Sequence, residues 1–110
     1  MKIAIVTGGG TGVGKAIAKA LYADGFALAL FGRRLDVLEA TAGEIDSGGE
    51  RVLAVSVDIG DQAAVEAAFK TVIGRWRRLD LLVNNAGMNA PSVALEDVTA
   101  AQWNQIVGAN

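Results

Sequence analysis

Four short apolar runs, each followed by a segment of different period, constrain the fold of this chain more than any other feature. The runs are Ile3-Ala4-Ile5-Val6, Phe26-Ala27-Leu28-Ala29-Leu30-Phe31, Val52 to Val57 and Leu79 to Val83. Nearly unbroken runs of this length read as strands buried on both faces, the pattern of a parallel sheet. Between them apolar residues recur at helical spacing: Val13, Ile17 and Leu21, then Leu35, Leu38, Ala42 and Ile45, then Val65, Phe69, Val72, Ile73 and Trp76. Asp24-Gly25 and Ser47-Gly48-Gly49 stop the first two helices, and Thr99 is the expected N-cap of a fourth that carries Trp103, Ile106 and Val107. Parallel neighbours need long connections, and helices supply them. The order β-α-β-α-β-α-β-α therefore predicts a doubly wound α/β fold with right-handed crossovers and helices on both faces.

The 110 residues are 52% apolar and 20% charged with a single proline, which fits one globular domain and not a disordered chain. A net charge of −2 with interspersed signs gives no nucleic-acid surface. Arg75, Arg77 and Arg78 cluster at the end of a predicted helix, where cations complement the dipole. Cysteine and histidine are both absent, which removes disulfides, thiolate nucleophiles, zinc-thiolate sites and the commonest general base. No metal site is expected. Neither Ile3 to Val6 nor Phe26 to Phe31 is long enough for a signal peptide or a membrane span. The expectation is a soluble cytoplasmic protein without nucleic-acid or membrane partners.

The first strand run leads into Thr7-Gly8-Gly9-Gly10-Thr11-Gly12-Val13-Gly14-Lys15, which can be read in two frames. So many glycines exceed what a plain strand-to-helix turn needs, and backbone amides at a helix N-terminus form an anion site. From Gly9 the frame is G-x-x-x-x-G-K, a triphosphate P-loop, with Asp58 after an apolar strand as a candidate magnesium ligand. That reading fails at Ala16, where a P-loop needs a hydroxyl for the metal. From Gly8 the frame is Gly8-x-x-x-Gly12-x-Gly14, a dinucleotide-binding turn, although the generic G-x-G-x-x-G does not occur.

Together with Asn84-Asn85-Ala86-Gly87 after the fourth run, this loop resembles the short-chain dehydrogenase/reductase family over Met1 to Asn110. The resemblance implies a Rossmann-type sheet of which the chain carries the first four strands in the order 3-2-1-4. It implies a dinucleotide over their carboxyl ends. It places Gly8, Gly10, Thr11, Gly12, Val13 and Gly14 around the pyrophosphate. Asp58 would bond the adenine amino group with Ile59 beside the ring, and Asn85, Ala86 and Gly87 would line the adenosine ribose. A turn or capping role remains open for Asp58, as does a purely structural role for Asn84 and Asn85.

The end of the second strand selects the cofactor. An NAD enzyme places a carboxylate there for the ribose 2′-OH. Here Gly32 is followed by Arg33 and Arg34, and a guanidinium can pair a 2′-phosphate bidentately. NADP(H) is expected over NAD(H), with Arg33 the main contact and Arg34 secondary. The competing reading makes both arginines solvated charges at the start of the next helix.

Alcohol–carbonyl interconversion by the family uses a tyrosine with a lysine four residues on, and a serine. The single tyrosine, Tyr22, has Phe26 in that position and lies beside the core stripe of the first helix, so it reads as a packing residue. Asn110 matches an asparagine of the family's catalytic group. The chain is thus expected to be a partial domain, 1–110, cut in its fourth helix, with the C-terminal half missing and no catalysis of its own. Its fourth strand would be a sheet edge and apolar helix faces would be exposed, and self-association or poor stability would follow. A non-catalytic dinucleotide-binding module is the alternative. The small carbonyl or alcohol substrate is not specified, although Met88 to Asp97 is a candidate contact.

Overall fold

Ile3–Thr7 and Ala27–Gly32 carry no polar side chain except the terminal Thr7, so their faces can be covered only by other apolar groups. In the computed structural model, which describes residues 1–10, 12–84 and the backbone of 93–94, they form β1 and β2, the centre of a sheet. The remaining elements are α1 (Gly12–Ala23), α2 (Leu35–Ile45), β3 (Val52–Ser56), α3 (Gln62–Trp76), β4 (Leu81–Val83) and β5 (Val93–Ala94). The sheet order is β3-β2-β1-β4-β5, with the first four strands parallel as expected.

Side-chain alternation on the strands builds two cores. Ala4, Val6, Leu28 and Leu30 point to the face covered by Ala18 of α1 and Leu38 of α2. Ile3, Ile5, Ala27, Ala29 and Phe31 point to the other, under Val65, Ala68, Phe69 and Val72 of α3. Phe31 and Phe69 meet there at 5.7 Å between ring centroids, tilted by 58°. The chain steps outward from β1 to β3 with α1 and α2 on one face, then returns to β4 with α3 on the other. Right-handed crossovers require that change of face, and it opens a crevice at the carboxyl ends of β1 and β4.

Two expectations are corrected. β4 is not the sheet edge, because Leu81 and Leu82 pair antiparallel with Ala94 and Val93 of β5. The stripe Val13, Ile17 and Leu21 is not the main contact of α1 with the sheet. The buried residues of that helix are Gly14 and Ala18, Leu21 packs partly against the core, and Val13 is 66% exposed. Small residues let this helix lie close on the sheet, which rotates the larger ones outward. Ile73 likewise faces solvent on α3 at 41% exposure. The predicted fourth helix, with Thr99, Trp103, Ile106 and Val107, lies outside the described residues.

The helix ends follow local chemistry. Asp61 caps α3 by accepting from the Ala64 amide at 3.2 Å. At the other end Arg77 adopts a left-handed conformation, φ 63°, and its N–H closes on Ile73 O at 2.8 Å. Arg75 extends to the carbonyls of Gly49 and Glu50, and Arg78 pairs with Asp80, so these two members of the basic cluster serve structure.

Candidate functional site

The glycine-rich loop is held from three sides. The amide of Gly8, at φ 64°, donates to Phe31 O at 2.8 Å, which ties the loop to the end of β2. Gly9 is buried, and a Cβ there would stand 2.8 Å from Leu30 Cδ2 and 3.2 Å from Val6 O. A Cβ on Gly10 would meet Val37 Cγ1 at 2.8 Å, and the Gly10 carbonyl accepts the hydroxyl of Thr41 at 2.9 Å. Gly12 opens α1 in the left-handed region at φ 57°, Val13 projects to solvent, and Gly14 is buried against the sheet. Thr11 lies outside the described residues. Gly9 and Gly10 thus allow close packing of the loop on β2 and α2.

Beside the loop is a cleft of about 270 Å³ lined by Gly8, Gly10, Gly32, Arg33, Arg34, Val37 and Leu38. It sits where β1 and β2 end and α2 begins. Arg34 is the N-cap residue of α2 without a side-chain cap, and it reaches Asp36 at 3.5 Å. The Arg33 side chain, 77% exposed, donates from Nη2 to Asp58 Oδ1 at 3.1 Å. Asp58 Oδ1 also accepts the amide of Gly60 at 2.9 Å, the turn role left open by the sequence. These hydrogen bonds, that of Gly60 first and that of Arg33 second, hold the Asp58 carboxyl below the usual carboxylate range. Ile59 is half-buried against the α3-side core.

On the β4 side, Thr7 Oγ1 donates to Asn84 Oδ1 at 3.0 Å, and both residues are buried. This bond locks the end of β4 to the start of the glycine loop and gives Asn84 a structural partner. Asn85, Ala86, Gly87 and Asn110 lie outside the described residues, as does the segment that includes Met88. Thr7, Thr41 and Ser56, whose hydroxyl donates to Arg33 O at 3.1 Å, are polar supports that sequence reasoning passed over. Their only sequence signal is a hydroxyl next to, or facing, a motif residue.

The arrangement can bind an anion at the loop and a second anion at the arginines, and it contains no acid or base poised for proton transfer among the described residues. Lys15 does not turn toward the loop as in a triphosphate site; it pairs with Glu44 on α2 at 2.7 Å. Tyr22 is half-buried against the core and covered by the Arg51 guanidinium at 4.1 Å from the ring centroid. No group of three or more metal-capable side chains exists among the described residues, and no helix among them is long and apolar enough to cross a membrane.

A sequence profile described as short chain dehydrogenase matches residues 2–110. The chain is 35% identical, over 99% of its length, to the (2S)-[(R)-hydroxy(phenyl)methyl]succinyl-CoA dehydrogenase subunit BbsD of Thauera aromatica, of which it covers 44%. It is 34% identical, again over 99% of its length, to the 2-dehydro-3-deoxy-L-rhamnonate dehydrogenase (NAD(+)) of a Sphingomonas strain, of which it covers 42%. Among solved structures it resembles an alcohol dehydrogenase of the archaeon Thermococcus sibiricus complexed with 5-hydroxy-NADP. The TM-score is 0.74 at 36% identity, over 96% of this chain and 45% of that one. The chain therefore spans less than half the length of these relatives.

Proposed function

This chain belongs to the short-chain dehydrogenase family, and from that premise we propose that it is the cofactor-binding portion of an NADP(H)-dependent oxidoreductase that interconverts alcohols and carbonyls. The observation that carries the NADP(H) reading is Arg33 and Arg34 at the mouth of the cleft beside the loop, where β2 itself supplies no carboxylate. Guanidinium groups there favour a 2′-phosphate and cannot accept the proton of a free 2′-OH as a carboxylate does. Relatives of both cofactor types occur, one named for NAD(+) and one structure complexed with 5-hydroxy-NADP. The choice therefore rests on the arginines of this chain.

In this reading the amides of the loop from Gly8 to Gly14, Thr11 included, meet the pyrophosphate at the N-terminus of α1. Asp58 and Ile59 hold the adenine, Asn85, Ala86 and Gly87 line its ribose, and Asn110 belongs to the catalytic group. When bound, the nicotinamide supplies a hydride to the carbonyl carbon, while a protein acid must supply the proton to its oxygen. Tyr22 cannot be that acid, because it is packed under Arg51 and has Phe26 where the family carries lysine. We therefore hold the 110-residue chain to be a partial domain that binds cofactor weakly and does not catalyse alone. The second reading is a non-catalytic dinucleotide-binding module; turnover by a longer product of the same gene would exclude it.

A cytoplasmic setting is part of the same proposal. Self-association is proposed through the open face of α1, where Ile17, Ala20, Leu21 and Ala23 line a shallow groove next to exposed Val13. A single monomeric species in sedimentation at high concentration would refute it.

The deciding experiment is titration of the chain with NADPH and NADH before and after Arg33→Ala. NADPH affinity should fall on the order of tenfold to a hundredfold, the range for a charge-assisted hydrogen bond, with NADH unchanged. Equal affinity of the unaltered chain for both cofactors would overturn the assignment.

A further inference from the structure

Arg33 is tethered at both ends. The β2–β3 ladder runs out to Gly32 opposite Ser56, and the Val57 amide still donates to Gly32 O at 2.8 Å. Past that point Ser56 Oγ donates to the Arg33 carbonyl at 3.1 Å, which fixes the backbone at the root of the side chain. At the tip, Nη2 donates to Asp58 Oδ1, whose position is set by the Gly60 amide of its own turn. A side chain 77% exposed would otherwise sample many rotamers and would have to be ordered by its ligand.

We propose that Asp58 is a positioning residue for Arg33, holding its guanidinium at the edge of the cleft so that Asp58 contributes to selection of the 2′-phosphate without touching it. The proposal rests on the reading of Arg33 as the 2′-phosphate contact. Arginine suits this double use: one nitrogen serves Asp58, and the rest of the planar fork stays free for a second anion. Lysine could not do so with the same geometry, since its donors rotate on one atom. The Asp58 charge repels a nearby phosphate only weakly, because the pair is exposed and screened at ordinary salt.

The test uses two probes that carry only the adenosine half of the cofactor, adenosine 2′,5′-bisphosphate and 5′-AMP, titrated against the chain at about 0.15 M salt. The readout is the ratio of their affinities. Asp58→Ser keeps a turn acceptor for the Gly60 amide but cannot reach Arg33. It should lower the ratio by about three- to tenfold, the cost of ordering one long side chain. Asp58→Asn keeps both acceptor contacts and should restore most of the ratio. In an Arg33→Ala background, Asp58→Ser should leave the ratio unchanged. If Asp58→Ser weakens both probes equally, Asp58 is an adenine contact only and the proposal is wrong. If the ratio rises, Asp58 competes with the phosphate, and the proposal is wrong in sign. If Arg33→Ala alone leaves the ratio unchanged, the underlying cofactor reading fails, an outcome distinct from the other two.

Discussion

The buried hydroxyl of Thr41 donates to the carbonyl oxygen of Gly10 across 2.9 Å, joining the middle of α2 to the glycine-rich loop. One helix therefore supports both halves of the proposed anion site, with Arg34 at its N-cap and the loop anchored about two turns further on.

Thr41→Val replaces the hydroxyl with a methyl of similar size and leaves the Gly10 carbonyl without this partner. The expected cost is about 1–3 kcal/mol, the penalty of an unmade buried hydrogen bond. In a domain of this size that lowers the melting temperature by about 4–8 °C per kcal/mol. Thr41→Ser should recover most of it. In the proposed reading the loop serves the pyrophosphate common to both cofactors, so NADPH and NADH affinities should fall by the same factor. Loss of NADPH affinity alone would contradict this role.

Glycines in the loop are required for two different reasons, and substitution separates them. Gly9→Ala puts a Cβ against Leu30 Cβ at 3.3 Å and Val6 O at 3.2 Å, atoms of the buried strands that cannot yield. Overpacking of that kind costs about 1–3 kcal/mol. Gly12→Ala meets nothing within 4 Å and is opposed only by its left-handed φ of 57°, a strain of about 1–2 kcal/mol. Urea denaturation should rank Gly9→Ala as the more damaging or equal change. The opposite order, by a clear margin, would show that the loop relaxes away from β2.

What could be read in advance divides by range. The strands were legible because Ala4 and Val6 feed one core while Ile3 and Ile5 feed the other, so burial on both faces is written as an unbroken run. The arginines and glycines were legible because each motif is local. The face of α1 was misread because Gly14 and Ala18, its contacts with the sheet, carry almost no hydrophobic signal. β5 was missed because two residues show no period, and its partner lies on β4. Thr41 with Gly10, Thr7 with Asn84 and Arg33 with Asp58 are pairs distant in sequence, which only the fold brings together.

Arg77 ends α3 in the left-handed conformation that glycine adopts without strain. Its side chain is exposed, so Arg77→Gly removes the Cβ strain and little else. The gain, after the extra chain entropy of glycine, should be about 0.5–1 kcal/mol. A higher urea midpoint with unchanged slope would confirm it, and a lower midpoint would mean that the Arg77 side chain contributes binding of its own.

Acid should act through carboxyls such as Asp80. Its side chain, only 10% exposed, accepts the Ile3 amide at 2.8 Å and the Arg78 Nε at 2.8 Å. The Arg78 guanidinium, the largest influence, and the Ile3 amide hold the carboxyl below its ordinary value against the opposing effect of burial. Hydrogen bonds lower the carboxyls of Asp46, Asp58 and Glu44 in the same direction. A carboxyl whose pKa is lower folded than unfolded binds fewer protons in the native state. Its contribution is fully present above the unfolded value of about 3.9 and is lost as pH falls below it through the folded pKa. Stability should therefore be level near neutrality and decline from about pH 4 downward. Asp80→Asn should be less stable than the parent at pH 7, by about 1–2 kcal/mol because half-exposed Arg78 limits the gain. The gap should narrow below pH 4, where a protonated aspartic acid resembles asparagine. Urea titrations at pH 7, 5, 4 and 3 measure this directly, and a gap independent of pH would place the Asp80 contribution in packing and not in its charge.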